Sequence, residues 1–348
     1  MSRVQTVYVA EGEGDQRLDR WFKRRYPQIS QGMIEKICRK GECRVDGNRV
    51  KSSTRVEEGQ AVRIPPLPNT AAPVVTRTFI TEADKKLIQS CIIYRDDTII
   101  ALNKPAGLAT QGGSGQTRHV DGMAEALRFG LEEKPRLVHR LDRDTSGVLL
   151  MARTRGTAKI LTAAMRHRET RKIYWALVAG VPTPYLAEIK YGLVKASGHG
   201  RSGEGEKMVA VHPKDIDRTH GAKRAHTLYA TLYRVASRAA WVALEPLTGR
   251  THQLRAHMAE IGHPIIGDGK YGGASQENLG NGWGAQLGGI ISKKMHLHAR
   301  MIRFEHPETR KLITIIAPLP EHMKQSWETF GWTDSMASED PFDSLYKS

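Results

Sequence analysis

The sequence predicts an α+β protein in which a large domain on a mixed, mainly antiparallel sheet follows a small, strongly basic α/β unit. Three observations predict this. Beyond residue 90, strand-like runs outnumber helix-like ones and several follow one another directly, which excludes a regular βαβ repeat. Residues 16–65 compress two short helices and several short strands into one stretch. Between these regions, PPLPNTAAPVVTRTFITEADK is rich in proline and threonine and lacks periodicity, so it reads as a linker.

A chain of 348 residues suits two domains. The expected divisions are an N-terminal extension over 1–15, the small unit over 16–65, the linker over 66–85, the large domain over 86–330 and a flexible, acidic tail over 331–348.

Each element of the small unit has a local cause. Leu18, Trp21 and Phe22 are spaced to share one helical face, and Pro27 breaks that helix. Ser30 is placed to cap a second helix with a Met33, Ile34 and Ile37 stripe, which Gly41 ends in the left-handed conformation. CRVDGNRV then reads as two strands around an Asp46-Gly47 turn, and AVRI as a last strand. In the large domain, TIIALNK, GVLLMA, IYWALVAG, HTLYATLYRV, WVALEP, LHARMIRF and LITIIA read as strands. TRGTAKILTAAMRHR and THQLRAHMAEIG read as helices. ASGHGRSGEGEK and GGASQENLGNGWGAQLGG read as Gly/Ser-rich loops.

Charge narrows the partners. The net charge is +16 and the pI about 9.8, which favours a polyanion such as nucleic acid. Residues 16–64 hold 13 Lys/Arg against 6 Asp/Glu, a net +7. No apolar run approaches the ~18 residues of a membrane span, and the N-terminus lacks a signal-peptide core. The expectation is a cytoplasmic monomer with no membrane partner. Cys38, Cys43 and Cys91 give no disulfide framework and read as free thiols.

The segment richest in chemistry is His139-Arg140-Leu141-Asp142-Arg143-Asp144-Thr145-Ser146-Gly147, placed just before the VLLMA strand. A carboxylate flanked by Arg140 and Arg143 is expected to stay ionised, and an ionised carboxylate serves as a nucleophile or a charge stabiliser. From the residues alone, a structural Asp/Arg loop and a catalytic one are both open.

Two resemblances bear on that choice. RKGECRVDGNRV and the closing EEGQAVRIP resemble the S4 RNA-binding domain, which implies that Arg39, Lys40 and Arg44 touch RNA phosphate or sugar. HRLDxxTSGVLLxA resembles the hallmark of the RluA-type pseudouridine synthases, with Asp142 at the position of their nucleophilic aspartate. ALNKPAGLATQGG, RKIYWALVAG and PLTGRTHQLRAHMAEIGHPIIGDGKYG resemble three further motifs of that family in the same order, and LHARMIRFEHPETRKLITIIAPLP also fits.

The resemblance implies an enzyme that detaches a uracil at N1, turns it and rejoins it through C5. It gives catalytic roles to Asp142, Tyr174 and Arg255, with Arg255 paired to the aspartate. It gives substrate contacts to Lys104, His139, Arg140 and Leu297, with Arg140 filling the stack left by a flipped base. Attack at C1′ and a glycal-like route both stay open. Nothing is oxidised and no group leaves, so neither cofactor nor metal is implied. The subgroup with this S4 arrangement mainly modifies 23S ribosomal RNA, so that RNA is the expected substrate and partner. Transfer RNA is the alternative substrate, and a non-catalytic ribosome-assembly protein the alternative class.

The histidines suggest no metal site. His252 and His257 are five apart, poor spacing for one helical face, and His296-Leu297-His298 has the spacing found in some metal sites but no plausible ligand set to complete one. GLATQGGSG lacks the Gly-Lys-Ser/Thr ending of a phosphate loop.

Overall fold

Local turn and cap chemistry organises the N-terminal part of the computed structural model, which describes residues 3–68, 80–112, 118–165, 170–196, 207–272 and 291–346. The chain divides into two units, Met1–Arg77 and Thr78–Ser348. In the first, β1 (Gln5–Tyr8) and β2 (Gln16–Arg17) precede α1 (Leu18–Arg25) and α2 (Gln31–Lys40). Four short strands follow: β3 (Arg44–Val45), β4 (Asn48–Arg49), β5 (Arg55–Val56) and β6 (Ala61–Ile64).

The Ser30 hydroxyl accepts from the Met33 N–H at 3.3 Å, which caps α2 as expected. Gly41 ends α2 at φ 71°, a left-handed conformation that favours glycine. Asp46 and Gly47 both have positive φ, the signature of a two-residue hairpin turn. Leu18, Trp21, Phe22 and Ile34 are fully buried and pack with Val45, Val56 and Val62 beneath the sheet β1-β6-β3-β4. The helical faces and the strands at Arg44–Arg49 and Ala61–Ile64 match the sequence reading, but β1 pairs with β6 and Val9 is in the core, so residues expected to be an N-terminal extension belong to this unit. Leu67 joins the same core, so the unit extends past residue 65.

The second unit begins earlier than the composition suggested. Thr81 caps α3 (Glu82–Ser90) by accepting from Asp84 N–H at 3.1 Å, so the last residues assigned to the linker are helical. Residues 69–79, most of the rest of that stretch, lie outside the described residues, as do most of the two Gly/Ser-rich loops. After α3 come β7 (Ile92–Arg95), β8 (Ile99–Lys104), α4 (Val120–Met123), β9 (Arg136–Leu137), β10 (Ser146–Ala152), α5 (Arg155–Ala164) and β11 (Arg171–Ala179). Next are β12 (Leu186–Ile189), β13 (Gly192–Lys195), β14 (Met208–Val211), β15 (Lys223–Arg224), β16 (Thr227–Val235) and β17 (Ala239–Pro246). The chain finishes with α6 (Gln253–Glu260), β18 (Leu297–Glu305), β19 (Leu312–Ile316), α7 (Glu321–Thr329) and α8 (Asp343–Tyr346).

Ten strands form one sheet in the order β12-β16-β17-β11-β18-β10-β8-β7, with β19 beside β18 and β9 beside β10. Its pairs are antiparallel except β10 with β18, so the mixed, mainly antiparallel expectation holds. All seven residues of β10 are buried, as expected of a central strand covered on both faces. Gly147, at φ 109°, sits where a Cβ would lie 2.2 Å from the Ala299 carbonyl oxygen. Only glycine lets β18 approach β10 there, which gives the Thr-Ser-Gly sequence a structural reason. Ser146 adds a bond to β18, through Oγ to His298 Nδ1 at 2.9 Å.

The flexible tail expected from residue 331 is not what the structure shows. Phe342 is fully buried and Trp332 nearly so, beside Trp241 and Trp327. Arg171 forms an ion pair with Asp340, and Arg300 one with Asp334 at 2.6 Å. The tail is polar along most of its length, but two aromatic residues and two half-buried arginine partners hold it to the unit.

Candidate active site

The loop that carries Asp142 links β9 to β10 and is pinned from beneath. Lys104, at the end of β8, is fully buried, and its amine donates to the carbonyls of Leu108, Pro105 and Arg143 at 2.7, 3.0 and 3.0 Å. Gly107 N–H donates to the same Arg143 carbonyl at 2.9 Å. The Thr110 hydroxyl donates to the Leu141 carbonyl at 2.7 Å and accepts from its N–H at 3.2 Å. The backbone is thus fixed on both sides of Asp142. Burial pulls the Lys104 pKa down to about 8, with the charges of Asp144 and Asp142 opposing.

Lys104 therefore does not reach a substrate. Its amine lies under the loop, and the expected substrate contact is corrected to a backbone support. His139 has a similar double character. It lines the cavity, but its Nε2 accepts from the Leu150 N–H at 2.9 Å, and burial, with help from the Lys172 charge, lowers its pKa to about 3.

Asp142, Tyr174 and Arg255 meet around a cavity of about 620 Å³, which Arg140, His139 and Leu297 also line. Tyr174 comes from β11, where it is paired with Leu244 on one side and Ala299 on the other. Burial, and then the charge of Asp142, pushes its phenol pKa well above the ordinary value. Arg255 comes from α6, whose buried Leu254 and Met258 hold the helix to the sheet.

Arg255 is placed as expected but shared differently. Its Nε and Nη2 fork onto Asp268 at 2.7 and 2.8 Å, and Nη1 is left for Asp142 Oδ2 at 3.3 Å. Burial opposes the guanidinium charge, but Asp268 and then Asp142 raise the pKa above the usual arginine value. The cation beside the carboxylate is thus Arg255. The flanking Arg143 pairs with Asp144 at 3.1 Å, and Arg140 lies exposed at the cavity edge.

Several site residues were not read from sequence. Asp268 is almost fully buried, and its Oδ1 also accepts from the N–H groups of Lys270 and Tyr271, an Asx turn that Asp268-Gly269 could have signalled. The Tyr271 ring lies 5.1 Å from the Arg255 guanidinium, and its hydroxyl meets His252 Nδ1 at 3.0 Å. Lys172 lines the cavity two residues before Tyr174. No single-residue signal distinguished it from the other lysines.

Three further histidines make structural bonds. His298 joins Ser146 to the Ala317 carbonyl, His257 meets Thr227 and the Tyr191 carbonyl, and His263 meets the Ala179 carbonyl. Among the described residues, no group of three His, Cys, Asp or Glu side chains is placed to hold a metal ion. In the N-terminal unit, Arg39 and Lys40 stand exposed on the last turn of α2. Arg44 is exposed on β3 with its guanidinium on the Gly41 and Gly47 carbonyls. All three cysteines are buried and free. No described helix is long and apolar enough to cross a membrane.

Comparison with known proteins identifies the family. Residues 98–260 match the RNA pseudouridylate synthase family and residues 16–62 the S4 domain. Ribosomal large subunit pseudouridine synthase C of Vibrio cholerae is 36% identical over 334 residues, covering 93% of this chain and 96% of its own. The protein of the same name from Haemophilus ducreyi is 35% identical, with 93% and 94% covered. Among solved structures, human RNA Pseudouridylate Synthase Domain Containing 4 is 29% identical with a TM-score of 0.57, covering 71% of this chain and 95% of that one.

Proposed function

The chain belongs to the RNA pseudouridylate synthase family, and from that premise we propose that it isomerises uridines of large-subunit ribosomal RNA with Asp142 as its nucleophile. The observation that carries this is Asp142 held at 3.3 Å from Arg255 in a cavity floored by Tyr174. A uridine turned out of its helix fits this cavity with its ribose toward Asp142 and its base against the Tyr174 ring. The C1′–N1 bond breaks, the uracil turns, and a C5–C1′ bond forms. The C5 proton passes by the Tyr174 hydroxyl to water, and water returns one to N1, so the overall change is an isomerisation. Arg255, fixed by Asp268, holds the carboxylate in place through the sequence. Arg140, exposed at the rim, fills the space the base vacated, and Leu297 walls the cavity behind it.

The substrate assignment rests on two supports. The relatives of nearly equal length act, by their names, on the large ribosomal subunit. The S4 unit adds a second RNA contact through Arg39, Lys40 and Arg44, and covalent tethering raises its effective concentration, which favours a large multi-helix RNA. We read the protein as a cytoplasmic monomer. Pseudouridine mapping in a strain lacking the gene tests the reading. Loss of sites in 23S RNA is expected. Loss confined to transfer RNA, with all 23S sites intact, rejects the assignment.

A further inference from the structure

We propose that Lys172 is a further catalytic residue, whose ammonium group hydrogen-bonds a carbonyl oxygen of the detached uracil and offsets the negative charge the base carries between bond cleavage and reattachment. The inference rests on the preceding reading of a uridine in this cavity.

Position comes first. Lys172 and Tyr174 both line the cavity and stand two residues apart on β11, hence on one face and roughly 7 Å apart along the strand. The charge of Asp142 bears on Tyr174, and that of Lys172 on His139. The cavity wall thus offers a carboxylate, an aromatic ring and, two residues from that ring on the same strand, an ammonium group.

Pairing comes second. Among the described residues, the Lys172 amine donates one hydrogen bond, to the Met165 carbonyl at 3.3 Å, although an ammonium has three N–H groups to give. The anion that bears on it is Glu245, which is 2% exposed. Both Glu245 oxygens are already engaged by the Arg171 fork, at 3.0 and 2.7 Å. Burial accordingly pulls the Lys172 pKa down, with Glu245 opposing. A cation held in a cavity without a dedicated counter-ion is costly to the resting protein and is best matched by an anion that arrives during the reaction.

The reaction supplies that anion. When C1′–N1 breaks, the electron pair leaves with the uracil, and the charge spreads over N1, O2 and O4. The ring then turns until C5 faces C1′, and its electrons form the new bond. A lysine on a flexible stem can follow a carbonyl oxygen through the turn, whereas a rigid guanidinium fork could not.

The test uses the full chain carrying Lys172→Met, Lys172→Gln or Lys172→Arg, with single-turnover pseudouridine formation and RNA affinity measured separately. We expect Lys172→Met and Lys172→Gln to slow the single-turnover rate about 10²-fold, the typical cost of one lost charge-stabilising donor. RNA affinity should stay unchanged, and Lys172→Arg should recover part of the rate. Replacing the target with 5-fluorouridine, whose detached base is a more stable anion but whose C5 has no proton to lose, should shrink the penalty of Lys172→Met when loss of the N1-linked nucleoside is read in place of pseudouridine. Wild-type-like rates, or a loss confined to affinity with a shallower salt dependence, would overturn the proposal, the second pointing to a phosphate contact. An equal penalty on both bases would also overturn it. A wild-type protein that converts transfer RNA but not large-subunit RNA defeats the substrate assignment alone, and the Lys172 comparison is then read on that RNA.

Discussion

The two units carry their charge in opposite ways. Arg39, Lys40 and Arg44 of the N-terminal unit are exposed, and their described partners are backbone carbonyls and a half-buried glutamate, Glu42, 3.6 Å from Lys40. Asp142, Arg255 and Asp268 of the large unit form a chain in which each group depends on the next, and Asp268 is 1% exposed. Exposed charges act nearly independently and are screened by salt. Buried ones are conditional, because removing one leaves its partner uncompensated. The first arrangement suits holding an extended polyanion, the second suits fixing one carboxylate to a fraction of an ångström.

The largest test of that contrast is Asp142→Asn. Pseudouridine formation should fall on the order of 10⁵-fold, as for other nucleophile replacements, while RNA affinity measured by filter binding stays within about threefold. Substantial turnover by the variant would dissociate the nucleophile from this position.

Arg255→Ala comes next. It strands Asp268 in the interior as well as freeing Asp142, so turnover should drop about 10²- to 10³-fold and stability by about 3–5 kcal/mol, read by denaturant unfolding. Arg255→Lys should keep the charge but not the fork, and fall between. An alanine variant of normal rate and stability would break the comparison.

Exposed charges should behave additively. Replacing Arg39, Lys40 and Arg44 singly with glutamine should flatten the dependence of log affinity on log salt by roughly 0.7–0.9 per lost phosphate contact, with kcat unchanged. A single variant that abolished binding would show that these residues act as a buried network does.

The smallest effect is expected at the C-terminal segment. Asp340→Ala removes one of two acidic partners of Arg171 and leaves the Glu245 fork, so a loss of about 1 kcal/mol in thermal unfolding is expected. A loss of several kcal/mol would mean that Arg171 and its partners form one unit.

Legibility followed the range of the interaction. Ser30, Gly41 and Asp46-Gly47 act on their own neighbours, so the small unit could be read nearly residue by residue. The strand runs were legible because β8, β10, β11, β16 and β17 are rich in apolar residues and β18 alternates them with polar ones. Asp142, Tyr174 and Arg255 were legible through motif resemblance. The preference of Arg255 for Asp268 was not, because it depends on a turn thirteen residues later bringing a carboxylate back onto the helix. Lys104 was misjudged for a related reason. A lysine in a loop-and-strand motif looks available, and only the fold shows its amine closed in by three carbonyls. The tail was misjudged because composition averages over Trp332 and Phe342, the residues that hold it.

The parallel pairing of β10 with β18 has a consequence for the order of folding. Ser146 and His298, which meet across it, are 152 positions apart in the chain. Contacts of such separation form late, after hairpins such as β16–β17 have already gained their local pairs. Yet it is this pairing, through Gly147 against Ala299, that seats the strand directly after the Asp142 loop. During refolding, most of the antiparallel ladder should therefore return before the catalytic centre does. Far-ultraviolet dichroism should recover ahead of turnover, and the interval between them should report the arrival of β18.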